Sequence, residues 1–128
     1  MFKPAHELVQ EAKKSVKECG PAAIHDNFSV PDALLIDVRE PDEYRQGHIA
    51  GSVNIPRGML EFKISNEPAL QSLTRPIIVY CKTSGRAALS VVAMQSMGFQ
   101  NVTSLAGGFD AWVAEGHPVV QPNLVSFE

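Results

Sequence analysis

Apolar residues recur with two different periods along this chain, and the periods alternate. Over residues 5–18 (AHELVQEAKKSVKE), Leu8, Val9, Ala12 and Val16 fall at helical spacing. That spacing predicts an amphipathic helix stopped by Gly20-Pro21. Leu34-Leu35-Ile36-Asp37-Val38 is instead a short apolar run that reaches a polar residue near its carboxyl end, as a strand buried on both faces does. Pro76-Ile77-Ile78-Val79-Tyr80 is the clearest run of this kind and is assigned the centre of a sheet. Asn101–Leu105 reads as a further strand, and Ser52-Val53-Asn54-Ile55 as a shorter one closed by Pro56.

Helical signals fill the intervals. Glu40-Pro41-Asp42-Glu43 supplies acids and a proline for the first turn of a short helix, which Gly47 ends. Residues 57–73 accommodate one or two short helices. Gly85 to Met97 carries apolar residues at 88, 89, 92 and 93, with Gly98 as its cap. Gly107-Gly108 leads into a last helix bearing Phe109, Trp112 and Val113. The segment AAIHDNFSVPD (22–32) has no clean period, with room in it for a short strand, and 121–128 reads as a tail. Strands alternating with helices at short intervals predict an α/β fold whose parallel sheet is covered on both faces. Such sheets place their sites beyond the carboxyl ends of the strands. Cys81 stands there, directly after the best strand.

The chain has 128 residues, 45% of them hydrophobic, which suits one domain with a core of its own. Eleven Lys and Arg against 14 Asp and Glu leave a formal net charge of -3, without the basic field that non-specific nucleic-acid binding needs. No apolar run approaches the roughly 20 residues that span a bilayer. The start, MFKPAHELVQEAKK, has no apolar signal region, so the expectation is a cytoplasmic protein with no membrane or nucleic-acid partner. Histidines 6, 25, 48 and 117 show no metal-ligand spacing, and two cysteines, Cys19 and Cys81, make neither a disulfide framework nor a four-ligand zinc site. A Cys19–Cys81 bridge requires the fold to bring the two together, and a reducing cytoplasm opposes it.

The segment VYCKTSGRAA (79–88) carries the chemistry. Between Cys81 and Arg86 lie Lys82 and three small residues, Thr83, Ser84 and Gly85. A turn of small residues lets consecutive backbone N–H groups point inward as an anion-binding nest. The helix that follows adds its own unpaired N–H groups and positive end. Lys82 and Arg86 add two full charges at the rim, and all three terms favour the thiolate of Cys81. A thiolate so placed can attack a substrate, while the same cradle stabilises the charge carried on the sulfur afterwards. The bland alternative is a small hydrophobic residue at a strand end, as most free cysteines are. Arg86 weighs against it: a cation in a first helical turn opposes the dipole and calls for an anionic partner.

This constellation resembles the rhodanese-like sulfurtransferases, from about Leu34 to Val119. LIDVREPDEYRQGHIAGSVNIP (34–56) is similar to the family's first signature through Asp37, Arg39, Glu43-Tyr44, Gly47-His48-Ile49, Gly51 and Asn54-Ile55-Pro56. VYCKTSGRAALS (79–90) is similar to its active-site loop, and LAGGFDAWVAEGHPV (105–119) to its closing Gly-Gly-aromatic-Trp segment. The resemblance implies a three-layer α/β/α fold with a five-stranded parallel sheet; the chain as a whole is expected to be a single domain, with an N-terminal helix (1–20) packed on the domain over 21–120 and a tail over 121–128. It implies that Cys81 carries a persulfide between half-reactions and that Lys82 and Arg86 hold the oxyanion end of a donor such as thiosulfate. The amides from Lys82 through Thr83, Ser84, Gly85 and Arg86 to Ala87 would surround the outer sulfur, and Thr83 or Ser84 would hydrogen-bond it. A thiol or cyanide then accepts the sulfur, and no metal or organic cofactor is required.

Other readings stay beside this one. A sulfur-carrying or sensing module acting with a partner protein would need the same cysteine. Phosphatases and arsenate reductases share a cysteine–arginine loop, but theirs is one residue longer and opens a cradle wide enough for a tetrahedral oxyanion. Asp37, Arg39 and His48 are expected to be structural rather than a catalytic set, with Arg39 pairing a carboxylate such as Glu43 and His48 bonding locally. Phe109 and Trp112 are expected to face the core, with lining of the site as the alternative, and Cys19 is expected to be passive. The chain departs from the family pattern before residue 34, where neither the first strand nor its helix is plain. It also departs at Ser52, where alanine is commoner.

Overall fold

The computed structural model describes residues 1–27 and 33–121. Its elements in chain order are α1 (Ala5–Lys13), β1 (Lys17–Cys19), α2 (Pro21–Asn27), β2 (Leu34–Asp37), α3 (Pro41–Gln46), β3 (His48–Ile49), β4 (Val53–Asn54), α4 (Leu60–Asn66), β5 (Ile77–Tyr80), α5 (Gly85–Ser96), β6 (Val102–Leu105), α6 (Gly108–Ala114) and β7 (Val119–Val120). Short 3-10 turns at Arg57–Met59 and Pro68–Leu70 flank α4. Five strands form one parallel sheet in the order β1-β6-β5-β2-β4, and β3 pairs antiparallel with β7 beside it.

The alternation of β5 shows why its run is apolar throughout. Ile77 and Val79 join a core that includes Ile36, Val91 and Met94, while Ile78 and Tyr80 join another that includes Leu35, Leu105 and Trp112. Helices α4 and α5 close the first core and α2 and α6 the second, which makes three layers. Fully burying each such side chain contributes about 1.5–3 kcal/mol, so the doubly covered strand anchors the fold. Chain order reverses between β2 and β5, because β4 lies outside β2 whereas β6 and β1 follow on the other side of β5. That reversal opens a crevice at the carboxyl ends of β2 and β5.

The amino-terminal region departs from expectation. The helix predicted over 5–18 ends at Lys13, and Lys17–Cys19 forms the edge strand β1 against β6. Val16 has helical spacing with Ala12, but it packs into the α5 side of the core where the chain turns into β1. Pro21 does not stop a helix here; it opens α2, as its missing N–H and fixed φ allow in a first turn. The strand sought within AAIHDNFSVPD is thus supplied earlier, by polar residues. Residues 28–32 of that segment and 122–128 of the expected tail lie outside the described residues.

Candidate active site

Cys81 lies immediately after β5 and is 1% exposed. Its loop is shaped from two sides. On one side stands α6: the Phe109 N–H donates to the Cys81 carbonyl at 2.8 Å, and the Asp110 N–H to the Lys82 carbonyl at 3.0 Å. Gly108 (φ +58°) lies so close that a Cβ there would fall 2.4 Å from the Thr83 oxygen, 2.5 Å from that of Cys81 and 2.7 Å from that of Lys82. Three consecutive carbonyls therefore converge on the start of α6. Across a trans peptide the next N–H points the opposite way, so the amides of Lys82, Thr83 and Ser84 face away from α6. On the other side α5 begins, with Ser84 at its cap and the Ala88 N–H donating to the Ser84 carbonyl at 2.9 Å. The Ala87 N–H donates to the Cys81 Sγ at 3.4 Å.

Both cations of the loop have carboxylate partners. Arg86 meets Glu43 with two guanidinium nitrogens, Nη1 to Oε1 at 2.7 Å and Nη2 to Oε2 at 3.2 Å. The hydrogen bonds from Arg86 hold the Glu43 carboxyl below its ordinary value, against a smaller opposing effect of burial. Lys82 Nζ donates to Asp110 Oδ2 at 2.7 Å, in an exposed pair. The anionic partner that Arg86 calls for is thus supplied within the chain, by α3. Glu40 and Glu43 hold each other's backbone N–H groups in a capping box around Pro41, which positions that carboxylate.

Arg39 does not pair with Glu43 as expected; its carboxylate is Asp37. Nη2 meets Asp37 Oδ2 at 2.7 Å and Nε meets Oδ1 at 3.1 Å, with both side chains almost wholly buried. The reason is local: Asp37 ends β2 and its Oδ1 also accepts the Arg39 backbone N–H at 2.9 Å, so the turn closes on itself. Arg39 then reaches the Gly47 carbonyl at 2.7 Å and lies 4.3 Å from the centre of the Phe109 ring. His48 bonds locally through Nδ1 to the Tyr44 carbonyl at 3.0 Å, and Trp112 is a core residue, each as expected. Ser52 has a physical use: its Oγ lies 3.0 Å from the Tyr80 hydroxyl, which also accepts the Ile49 N–H. Burial pushes the Tyr80 phenol up, so it stays neutral there.

Two clefts flank the loop. One of about 280 Å³ is lined by Cys81, Thr83, Gly85 and Arg86 together with Ala5 and Val9 of α1 and Leu89 of α5. The other, of about 490 Å³, includes Arg39, Glu43, Lys82, Phe109 and Asp110 but not the cysteine. Five of the six loop residues are thus divided between the two openings, Ser84 lining neither, and the two cations face different ones. Phe109 does line a cleft, the alternative left open for it. The sequence reading missed Asp110, Gly108, Val9 and Lys13, whose Nζ donates to the Ser84 Oγ at 2.7 Å. Only the Gly107-Gly108 pair signalled a close approach in advance. Cys19 ends β1, and burial, with Glu18 beside it, pushes its thiol up, as befits a passive residue. Among the described residues no group of three or more His, Cys, Asp or Glu could hold a metal ion, and no helix is long and apolar enough to cross a membrane.

A parallel sheet that delivers a buried cysteine to the amino end of a helix, inside a short loop closed by an arginine, defines a class of cysteine-loop α/β proteins. Within that class this chain belongs to the rhodanese-like domain family, whose profile matches residues 20–115. It is 31% identical over 91 residues to a sulfurtransferase of Allochromatium vinosum, an alignment covering 71% of this chain and 81% of that one. It is 33% identical over 92 residues to thiosulfate sulfurtransferase 16 of Arabidopsis thaliana chloroplasts, covering 65% and 76% respectively. A solved structure from Rhodopseudomonas palustris, of a protein of unknown function described as a possible tyrosine phosphatase, superimposes with a TM-score of 0.84. That protein shares 32% identity, and the match covers 94% of this chain and 96% of that one.

Proposed function

We propose that this member of the sulfurtransferase family moves a sulfane sulfur from a donor such as thiosulfate to a nucleophilic acceptor through a persulfide on Cys81. The observation that carries the reading is the Cys81 sulfur held against the first turn of α5, with the Ala87 N–H on Sγ and the loop carbonyls turned aside to α6. A thiolate there attacks the sulfane sulfur; the new S–S bond forms as the S–S bond of thiosulfate breaks and sulfite leaves with the electron pair. The outer sulfur carries its charge among the amides from Lys82 through Thr83, Ser84, Gly85 and Arg86 to Ala87. Cyanide or a thiolate then attacks that sulfur, and the Cys81 thiolate departs. Arg86, fixed by Glu43, holds the helix end of the loop and faces the cleft, and Lys82 adds positive potential on the far side. The setting that suits such a thiolate is a reducing cytoplasm.

The test is intact mass after thiosulfate exposure, together with sulfite release in the presence of cyanide or a thiol. Wild type gains the mass of one sulfur atom and Cys81→Ser gains none. Loading without turnover on small acceptors would favour a sulfur carrier that serves a partner protein. Steady phosphate release from an aryl phosphate, lost in Cys81→Ser, would instead establish phosphatase chemistry; the four residues between Cys81 and Arg86 favour a single sulfur over a phosphate in the cradle.

A further inference from the structure

Helix α1 lies outside the residues that match the family, yet it braces the point where the cysteine loop enters α5. Val9 and Lys13 stand about one turn apart on α1 and reach consecutive residues of that junction. Val9 Cγ2 would lie 3.5 Å from a Cβ at Gly85, and Lys13 Nζ donates to the Ser84 Oγ at 2.7 Å. Gln95 of α5 donates to the Ser15 carbonyl at 3.2 Å just beyond α1, which ties the two helices together further along.

Ser84 is the residue that this contact changes. A serine at an N-cap ordinarily has extended backbone, and its Oγ accepts the N–H of the second or third helical residue, here Arg86 or Ala87. Ser84 has φ -156° but ψ -16°, and its side chain makes no capping bond. Its Oγ is turned to Lys13 instead, while its carbonyl still accepts the Ala88 N–H. The Ala87 N–H is left for the Cys81 Sγ, at 3.4 Å. One amide thus has two candidate acceptors, the Ser84 hydroxyl and the Cys81 sulfur, and Lys13 withdraws the first.

We infer that Lys13 is a positioning residue for the Cys81 sulfur: by holding the Ser84 hydroxyl off the first turn of α5, it reserves the Ala87 N–H for that sulfur. The other cations around the loop are committed to carboxylates. Arg86 is matched by Glu43 of α3, Lys82 by Asp110 of α6, and Arg39 by Asp37 at the end of β2. The Lys13 ammonium meets a hydroxyl, and no carboxylate among the described residues bonds to it and draws it from Ser84. Its charge therefore adds to that of the loop N–H groups, and an exposed charge of this kind is screened by solvent. The bond to Ser84 is what gives Lys13 a specific effect on the sulfur. The inference concerns how the sulfur is held, and it stands apart from which donor the sulfur attacks.

The test is the pH dependence of the Cys81 thiolate, read from its ultraviolet absorbance as the difference between each protein and the same protein carrying Cys81→Ser. Lys13→Met is expected to raise the midpoint by about half to one pH unit, the effect of one hydrogen bond to the charged sulfur. Lys13→Arg keeps a donor at that place and should restore the wild-type midpoint. Lys14→Met, at the neighbouring exposed lysine, should leave the midpoint where it is. Adding Ser84→Ala to Lys13→Met removes the competing acceptor and should recover more than half of the shift. A midpoint unmoved in Lys13→Met overturns the inference. Recovery of less than half on adding Ser84→Ala also overturns it, since the lysine would then act by charge and not through Ser84. Sulfur loading is scored separately: a wild type that takes no sulfur from thiosulfate overturns the sulfur-transfer reading, while the midpoints still decide the role of Lys13.

Discussion

Gly108→Ala tests how far the loop depends on α6. Two costs add. Gly108 has φ +58°, a left-handed conformation that an L-residue adopts at about 1–2 kcal/mol. The new methyl would also lie 2.4–2.7 Å from three carbonyl oxygens of residues 81–83, all of them backbone, so the contact is relieved only by moving the loop or α6. Overpacking of that kind costs about 1–3 kcal/mol. Together the change should cost about 2–5 kcal/mol, a large share of the roughly 5–15 kcal/mol that stabilises a domain. Gly116→Ala is the control, because Gly116 has φ +77° but nothing within 4 Å of its Cβ position, so it carries the backbone cost alone. Guanidinium unfolding followed by Trp112 fluorescence gives the two stabilities, and sulfur loading on Cys81 reports the loop. Gly108→Ala should unfold at clearly lower denaturant than Gly116→Ala and load sulfur poorly even where folded. Equal midpoints and full loading in both variants would refute the claim that α6 shapes the loop.

Arg39→Ala should destabilise the protein by about 3–5 kcal/mol by leaving Asp37 buried and unpaired, and adding Asp37→Asn should restore part of the loss; an unfolding midpoint unchanged in the single variant would contradict this. The Glu43 carboxyl is held below its ordinary value of 4.5, so its pairing with Arg86 adds stability that is fully present above that value and is lost as pH falls through the depressed one. Wild type minus Glu43→Gln stability, measured by urea unfolding from pH 6 downward, should therefore shrink on acidification, and a difference independent of pH would count against the pair.

The central strands were legible: burial on both faces leaves apolar runs in Leu34–Asp37 and Ile77–Tyr80, and Val102–Leu105 sets two apolar ends around Thr103 and Ser104. Edge strand β1 was not, since Lys17-Glu18-Cys19 needs only one neighbour and carries no such run. The two acid–base pairs show the same division. Arg39 and Arg86 each called for an anion, but which carboxylate answers depends on where α3 lies relative to the loop. A tight turn gave Asp37 to Arg39, and that freed Glu43 for Arg86.

By itself the amino-acid sequence determined the alternation of strand and helix, the place of Cys81 at a strand end and the spacing of its loop. Each of these follows from local periodicity, turn chemistry or residue type within a few positions. Only the tertiary structure decided what surrounds the sulfur. Gly108 and Asp110 approach the loop from more than 20 positions away, and Ala5, Val9 and Lys13 from more than 70. Contacts over such separations leave no period in the chain; packing α1 and α6 against α5 and the sheet creates them, and with them the two clefts that divide the loop's charges.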